Sequence, residues 1–211
     1  MKTLVAIPMK DPLRAKTRLA SVFETPERSR LAMALFERTL AFFHHACADF
    51  DVVVVTASET IARCAREGGA IVLREAGERG LNAAAARAAA YAGARSYGRL
   101  IIVPADIPIW LREEVEHVLT LSLRVNVALA EAHDGGTNML IMTPPRPFEF
   151  SYGTGSADLH EAAAHTHGLS VARCRLPFIG HDIDTPDDCL ALVHHRRRGH
   201  EACATTTGVP S

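Results

Sequence analysis

Neither sign of charge dominates this sequence. With 23 Lys and Arg against 24 Asp and Glu in 211 residues, the formal net charge is −1, which excludes a protein that holds nucleic acid on a basic surface. No apolar run approaches the roughly 18 residues that would span a bilayer, and the start has no charged segment leading into an apolar stretch and a small-residue cleavage site. Cysteine is sparse and unpatterned: Cys47, Cys64, Cys174, Cys189 and Cys203 are odd in number, far apart and never spaced C-x-x-C. Neither a disulfide framework nor a zinc cluster is therefore indicated. These absences predict a cytoplasmic protein with reduced thiols and with neither nucleic acid nor membrane as partner.

What is present is the composition of a globular domain, 48% hydrophobic and 22% charged. Apolar, β-branched runs alternate with longer helical stretches, the pattern of a largely parallel sheet flanked by helices. Strands are predicted at 4–7, 52–56, 70–73, 100–103, 125–130, 139–142 and 171–176, with a short edge at 182–184. Helices are predicted at 25–46, 60–67, 81–96, 111–121, 157–167 and 186–196, the first with Thr25 as N-cap and Pro26 at its first position. Two near-adjacent strands after four βα units depart from a doubly wound repeat, so the sheet is expected to be mixed and mostly parallel. One domain over residues 1–196 is predicted, followed by a disordered tail at 197–211 that begins in the basic run around His194 and His195.

Several segments carry candidate chemistry. Pro104-Ala105-Asp106-Ile107-Pro108 delivers a carboxylate to the carboxyl end of an apolar strand, where ligands of open α/β sheets bind. In Asp182-Ile183-Asp184 the two acids would point one way and the isoleucine the other. Like charges held side by side are commonly relieved by a cation, and with Asp106 they would form a three-carboxylate site for Mg²⁺. Asp187 and Asp188 are explained instead by the helix start at Thr185-Pro186.

The loop after the first strand places Lys10, Arg14, Lys16 and Arg18 within nine positions. It suits a triphosphate, although Lys16-Thr17 lacks the glycines of a Walker A loop. Asn82, after Gly80-Leu81, is either an N-cap or an amide that reads a ribose or base. The glycines of Asp134-Gly135-Gly136-Thr137-Asn138 and Tyr152-Gly153-Thr154-Gly155-Ser156 permit close backbone approach, and the second run opens a helix whose free amides suit an anion. Of the eleven histidines, His160 is the one placed, a turn inside that helix, where a cation could touch a bound acid.

Together these segments, in this order, resemble the CofC family of guanylyltransferases of coenzyme F420 biosynthesis. The resemblance runs from residue 3 to about 193 through Ile7-Pro8, Lys10, Ala15-Lys16-Thr17-Arg18-Leu19, Val54-Val55-Thr56, Gly80-Leu81-Asn82, Pro104 to Pro108, Gly136-Thr137-Asn138, Tyr152 to Ser156 with His160, and Asp182 to Pro186. It implies a Rossmann-like nucleotidyltransferase fold of the GT-A type, binding GTP over the strand ends and Mg²⁺ on Asp106, Asp182 and Asp184. Lys10, Lys16, Arg18 and Asn82 would hold the nucleotide, with Lys16 and Asp106 in the catalytic role. Thr137, Gly153, Ser156 and His160 would hold a three-carbon phospho-acid: 2-phospho-L-lactate, phosphoenolpyruvate or 3-phospho-D-glycerate.

The family often has Gly-Thr-Gly-Thr-Asn where this chain has Asp134-Gly135-Gly136-Thr137-Asn138, and the tail after Arg196 has no matching counterpart. Further partners would be the next enzyme of the pathway, by hand-off, and a second copy in a homodimer. The alternatives are a nucleotidyltransferase for another cofactor precursor or a sugar phosphate, and a non-catalytic nucleotide-binding regulator.

Overall fold

The computed structural model describes residues 1–190. The end of the last predicted helix, the boundary at 196, the tail at 197–211, His194, His195 and Cys203 lie outside the described residues. Seven strands form one sheet: β1 (Thr3–Pro8), β2 (Asp51–Thr56), β3 (Ile71–Arg74), β4 (Arg99–Ile102), β5 (Val127–Glu131), β6 (Thr137–Met142) and β7 (Val171–Arg175). Five helices cover it: α1 (Thr25–Ala46), α2 (Glu59–Glu67), α3 (Leu81–Ala94), α4 (Arg112–Leu121) and α5 (Ser156–Thr166). The strand order is β3-β2-β1-β4-β6-β5-β7. β1 pairs in parallel with β2 and β4, and β2 with β3, whereas β6 runs antiparallel between β4 and β5. β7 returns in parallel on β5. The expected mixed, mostly parallel sheet is what forms.

Every residue of β1 is buried, as its unbroken apolar run requires of a strand covered on both faces. Alternate side chains serve the two layers. Val5 and Ile7 pack with Phe36 and Phe43 of α1, Ile61 of α2 and Val115 of α4. Leu4 and Ala6 pack with Ala85, Ala88 and Ala92 of α3 and Ala164 beyond them. The alanine face of α3 lets that helix lie close on the sheet. Phe36 and Phe43 have no exposed surface, so truncating either to alanine would cost about 3–5 kcal/mol.

Two expectations are corrected here. The N-cap of α1 is Glu24, in a capping box with Glu27, and Thr25 and Pro26 are the first two helical residues. The Glu27 carboxylate accepts the Glu24 amide at 2.9 Å, and this reciprocal pair outweighs the usual preference for threonine at the cap. Residues 182–184 are not a strand. Only the Ile183 amide reaches across, to the Asp106 carbonyl at 3.3 Å, which ties two loops together without starting a ladder. A helix does begin at residues 186–190, with the Asp188 carboxylate accepting the Thr185 amide and hydroxyl at 2.6 and 2.8 Å.

This topology sends the residues after β1, β2, β3 and β4 to one edge of the sheet. The turn between β5 and β6 and the segment after β7 arrive at the same edge. No described helix is long and apolar enough to cross a membrane.

Candidate active site

The loop after β1 folds as two short 3₁₀ turns, Pro12–Arg14 and Thr17–Leu19. Asp11 caps the first, its side chain accepting the Leu13 amide at 2.9 Å and the Ser58 hydroxyl at 3.0 Å. Lys16 lies between them with φ 55°, a left-handed conformation that costs a non-glycine residue about 1–2 kcal/mol. Its ammonium is nevertheless fixed, 2.8 Å from an Asp106 oxygen and 3.0 Å from an Asp184 oxygen.

Asp106, Asp182 and Asp184 each bring one oxygen within 4.8 Å of the others. Ile183 between the latter two is buried against Leu19 and Leu35, so its anchoring turns both neighbours outward together. Burial, then the charges of Asp106 and Asp184, push the Asp182 carboxyl up to about 6. For Lys16, burial acts to lower the pKa, but the two adjacent carboxylates overcome it and the net direction is up. A buried ammonium between two carboxylates stays charged. Three converging carboxylate oxygens, one of them held reluctantly as an anion, fit a hard divalent cation; no soft ligand is in the set.

Beside this cluster lies a cavity of about 430 Å³ whose lining includes Lys10, Lys16, Asp106 and Asp184 together with Val55, Ala57, Gly80 and Leu81. Lys10 is exposed, and Arg18 is an exposed partner of Asp184 at 3.5 Å. Glu75 and Glu78 also line the cavity and were not foreseen. Their signal was position alone, since Glu75 follows β3 directly, at the strand end where ligands gather. Asn82 is neither the N-cap, which is Gly80, nor turned to the cavity through its carbonyl. Its Oδ1 accepts the Tyr152 amide at 2.7 Å, tying α3 to the glycine-rich loop before α5.

That loop sits against the turn between β5 and β6. A side chain at Gly136 would meet Asp134 Oδ1 at 2.7 Å and the Gly153 carbonyl at 3.3 Å, so it would displace the Asp134 carboxylate and crowd the loop. Gly153 itself is open to solvent at φ 140°. Beneath it runs a buried polar chain. Ser156 Oγ donates to Thr137 Oγ1 at 3.0 Å, which lies 3.0 Å from His160 Nδ1. His160 Nε2 accepts the Ser151 amide at 3.0 Å, which puts the ring proton on Nδ1. Burial lowers the His160 pKa to about 4.

The idea of His160 as a cation touching an acid is therefore corrected: it is neutral, fully buried and committed on both nitrogens. Ser156 is likewise fully buried, and its hydroxyl supports the loop from below. The turn in its turn is bound to the acidic cluster. His133 N donates to the Gly180 carbonyl at 2.9 Å and Asn138 Nδ2 to the Ile179 carbonyl at 2.8 Å, just before the chain reaches Asp182. Glu114 of α4 clamps the same segment by accepting the Phe178 and Ile179 amides at 3.0 and 2.8 Å, a role no local pattern announces.

A family model described as "Guanylyl transferase CofC like" matches residues 3–203, beyond Arg196, where a counterpart was not expected. The chain is 38% identical over 194 residues to a 3-phospho-D-glycerate guanylyltransferase of Colwellia psychrerythraea, covering 92% of each chain. It is 32% identical over 196 residues to a phosphoenolpyruvate guanylyltransferase of Sphaerobacter thermophilus, covering 92% of this chain and 94% of the relative. Among solved structures, a nucleotidyl transferase from Methanothermobacter thermautotrophicus is similar in fold, with a TM-score of 0.68 at 16% identity over 94% of this chain and 99% of that one.

Proposed function

The chain belongs to the CofC-like guanylyl transferase family, and from that premise we propose that it transfers GMP from GTP to a phosphorylated three-carbon acid in the assembly of coenzyme F420, releasing pyrophosphate. The observation that carries this reading is the convergence of Lys16 with Asp106, Asp182 and Asp184 at one end of a cavity on the strand ends. Of the three acids, 3-phospho-D-glycerate comes first, supported by the 38% identical relative.

An oxygen of the acceptor's phosphate attacks the α-phosphorus of GTP, and the bond from that phosphorus to the oxygen bridging to the β-phosphate breaks. Because the phosphate is already ionised at neutral pH, no general base is needed. The site has to align the two anions and hold the charge of the departing pyrophosphate. Asp106, Asp182 and Asp184 would hold Mg²⁺, which supplies charge neutralisation at the phosphate oxygens when bound. Lys16, Lys10 and Arg18 bring positive charge to the triphosphate, with Lys16 at the reacting end. The glycine-rich loop at Gly153, supported from beneath by Ser156, Thr137 and His160, offers backbone amides to the acid at the start of α5.

The test is pyrophosphate release from GTP with each acid in the presence of Mg²⁺. Turnover with at least one acid, and far slower turnover with ATP, is the expected result. No release with any of the three overturns the acceptor assignment.

A further inference from the structure

The two ends of the cavity differ in chemistry. On the β1 and β4 side of the strand order stand Lys16 and Asp106, with Asp184 bonded to Lys16; on the β2 and β3 side stand Val55, Ala57 and Glu75, with Leu81 and Ala84 of α3. Asp106 follows β4 and Glu75 follows β3, and in the order β3-β2-β1-β4 these strands are three spacings apart, roughly 14 Å. A triphosphate at the Lys16 end therefore directs its nucleoside toward Glu75. The wall there is small and apolar, with Val55 and Ala84 only 1% and 4% exposed, and it leaves room for a flat ring.

The Glu75 carboxylate is half-buried and, among the described residues, has no hydrogen bond or ion pair. Arg87 and Arg79 act on it only at longer range, and Arg87 is occupied by the Arg74 carbonyl at 2.9 Å. Glu78, by contrast, is committed to the Asp11 amide at 2.8 Å and to Arg14 at 3.5 Å. Burial is the main reason the Glu75 carboxyl titrates above its ordinary value: it has lost solvent without gaining a protein partner, a condition that a ligand's donors relieve.

We infer that Glu75 reads the base of the nucleotide, its two oxygens accepting the N1–H and the 2-amino group of guanine while the ring lies against Val55 and Ala84. This rests on GTP being the donor, as proposed above. Guanine alone among the common bases presents two adjacent donors on that edge. Adenine would set its N1 lone pair against the carboxylate, so the same group that attracts guanine repels adenine. The amides opening α3, beside Gly80 and Leu81, would offer donors to guanine O6.

Titration calorimetry with GTP, inosine triphosphate and ATP in the presence of Mg²⁺, on the wild type and Glu75→Gln, tests this directly. Inosine triphosphate lacks only the 2-amino group. The wild type should prefer GTP to it by about 10 to 100-fold, as for a lost hydrogen bond to a charged group. In Glu75→Gln that preference should fall to near parity and ATP should gain relative to GTP, because an amide can both accept from N6 and donate to N1 of adenine.

The melting temperature should not fall, because the carboxylate has no partner to lose. Equal weakening of GTP and inosine triphosphate in the variant would make Glu75 a ribose contact and overturn the inference, as would an unchanged ratio. If the wild type binds GTP but releases no pyrophosphate with any acid, the acceptor reading fails while the binding ratios still decide the role of Glu75.

Discussion

Among the described residues, Asp182 differs from its two neighbours in having no cation bonded to it. Lys16 bonds Asp106 and Asp184, whereas burial first, and then the repulsion of both neighbours, raise the Asp182 carboxyl to about 6. An unfolded aspartate titrates near about 3.9, so the folded metal-free protein holds a proton here that the unfolded chain gives up. The stability this proton confers is complete below about pH 4 and is lost as pH rises through about 6, on the order of 2 kcal/mol after allowing for solvent access. Asp182→Asn should therefore melt higher than the wild type at pH 7 and nearly level with it at pH 4.

Asp106→Asn should behave oppositely. It removes the 2.8 Å partner of a Lys16 side chain that is only 5% exposed and leaves a buried ammonium poorly paired, so its melting temperature should fall at pH 7. Both variants should lose most pyrophosphate release. Equal melting shifts in the two would mean that Lys16 does not divide the carboxylates as described.

At the scale of elements, the start of α5 and the turn before β6 act as one support for the glycine-rich loop, and His160 is its centre. The ring is neutral, with its pKa lowered by burial to about 4, whereas the unfolded chain would protonate near about 6.5. Stability is thus intact above about pH 6.5 and is lost as pH falls toward 4, by on the order of 3 kcal/mol from this group. His160→Gln keeps an acceptor for the Ser151 amide without titrating. Measured by urea midpoints, His160→Gln should gain stability relative to the wild type on going from pH 7 to pH 5, the Asp182 contribution being common to both. Parallel pH dependence in the two proteins would remove His160 as the source. The trend is opposite in sign to that of Asp182, so each is read from its own variant.

His160 also marks how far sequence could reach. Its place one turn into α5 was legible, but helical position does not reveal burial, and only the packing of Phe148 and Tyr152 around the ring shows why it is uncharged. The central strands were legible because they are apolar on both faces. Asp182-Ile183-Asp184 has the same polar-apolar alternation as an edge strand, and its true state depends on Leu19 and Leu35 capturing Ile183. Lys16, Asp106 and Asp184 could be named individually; their contact joins residues 90 and 168 positions apart, and sheet order alone brings them together. Glu75 belongs to no motif and has only its position after β3 to mark it, and it becomes notable because β3 lies two strands from β1 at the same edge.

At the scale of the whole molecule, one sheet edge gathers every element of the site, and its charge balance couples the ligands. In the metal-free protein the Lys16 ammonium is paired with two of the three carboxylates that would hold a divalent cation. A cation binding alone would compete with that ammonium, and GTP alone would bring its triphosphate up to three carboxylates. Bound together as proposed, the cation would take the carboxylates and the triphosphate would take Lys16, so that each ligand would remove the other's obstacle. Linkage makes this coupling reciprocal.

The expected result is a melting temperature that moves little with Mg²⁺ alone or with GTP plus a chelator, but strongly with both. Saturation at about 100 times the dissociation constant adds about 2.7 kcal/mol, which for a protein of this size is a shift of roughly 5–10 °C. In Lys16→Met the obstacle to the cation alone is gone, so Mg²⁺ by itself should stabilise that variant more than it does the wild type, while the added effect of GTP should shrink. Simple additivity of the two ligands in the wild type, together with an unchanged Mg²⁺ response in Lys16→Met, would show that the ammonium does not stand between the carboxylates and their cation.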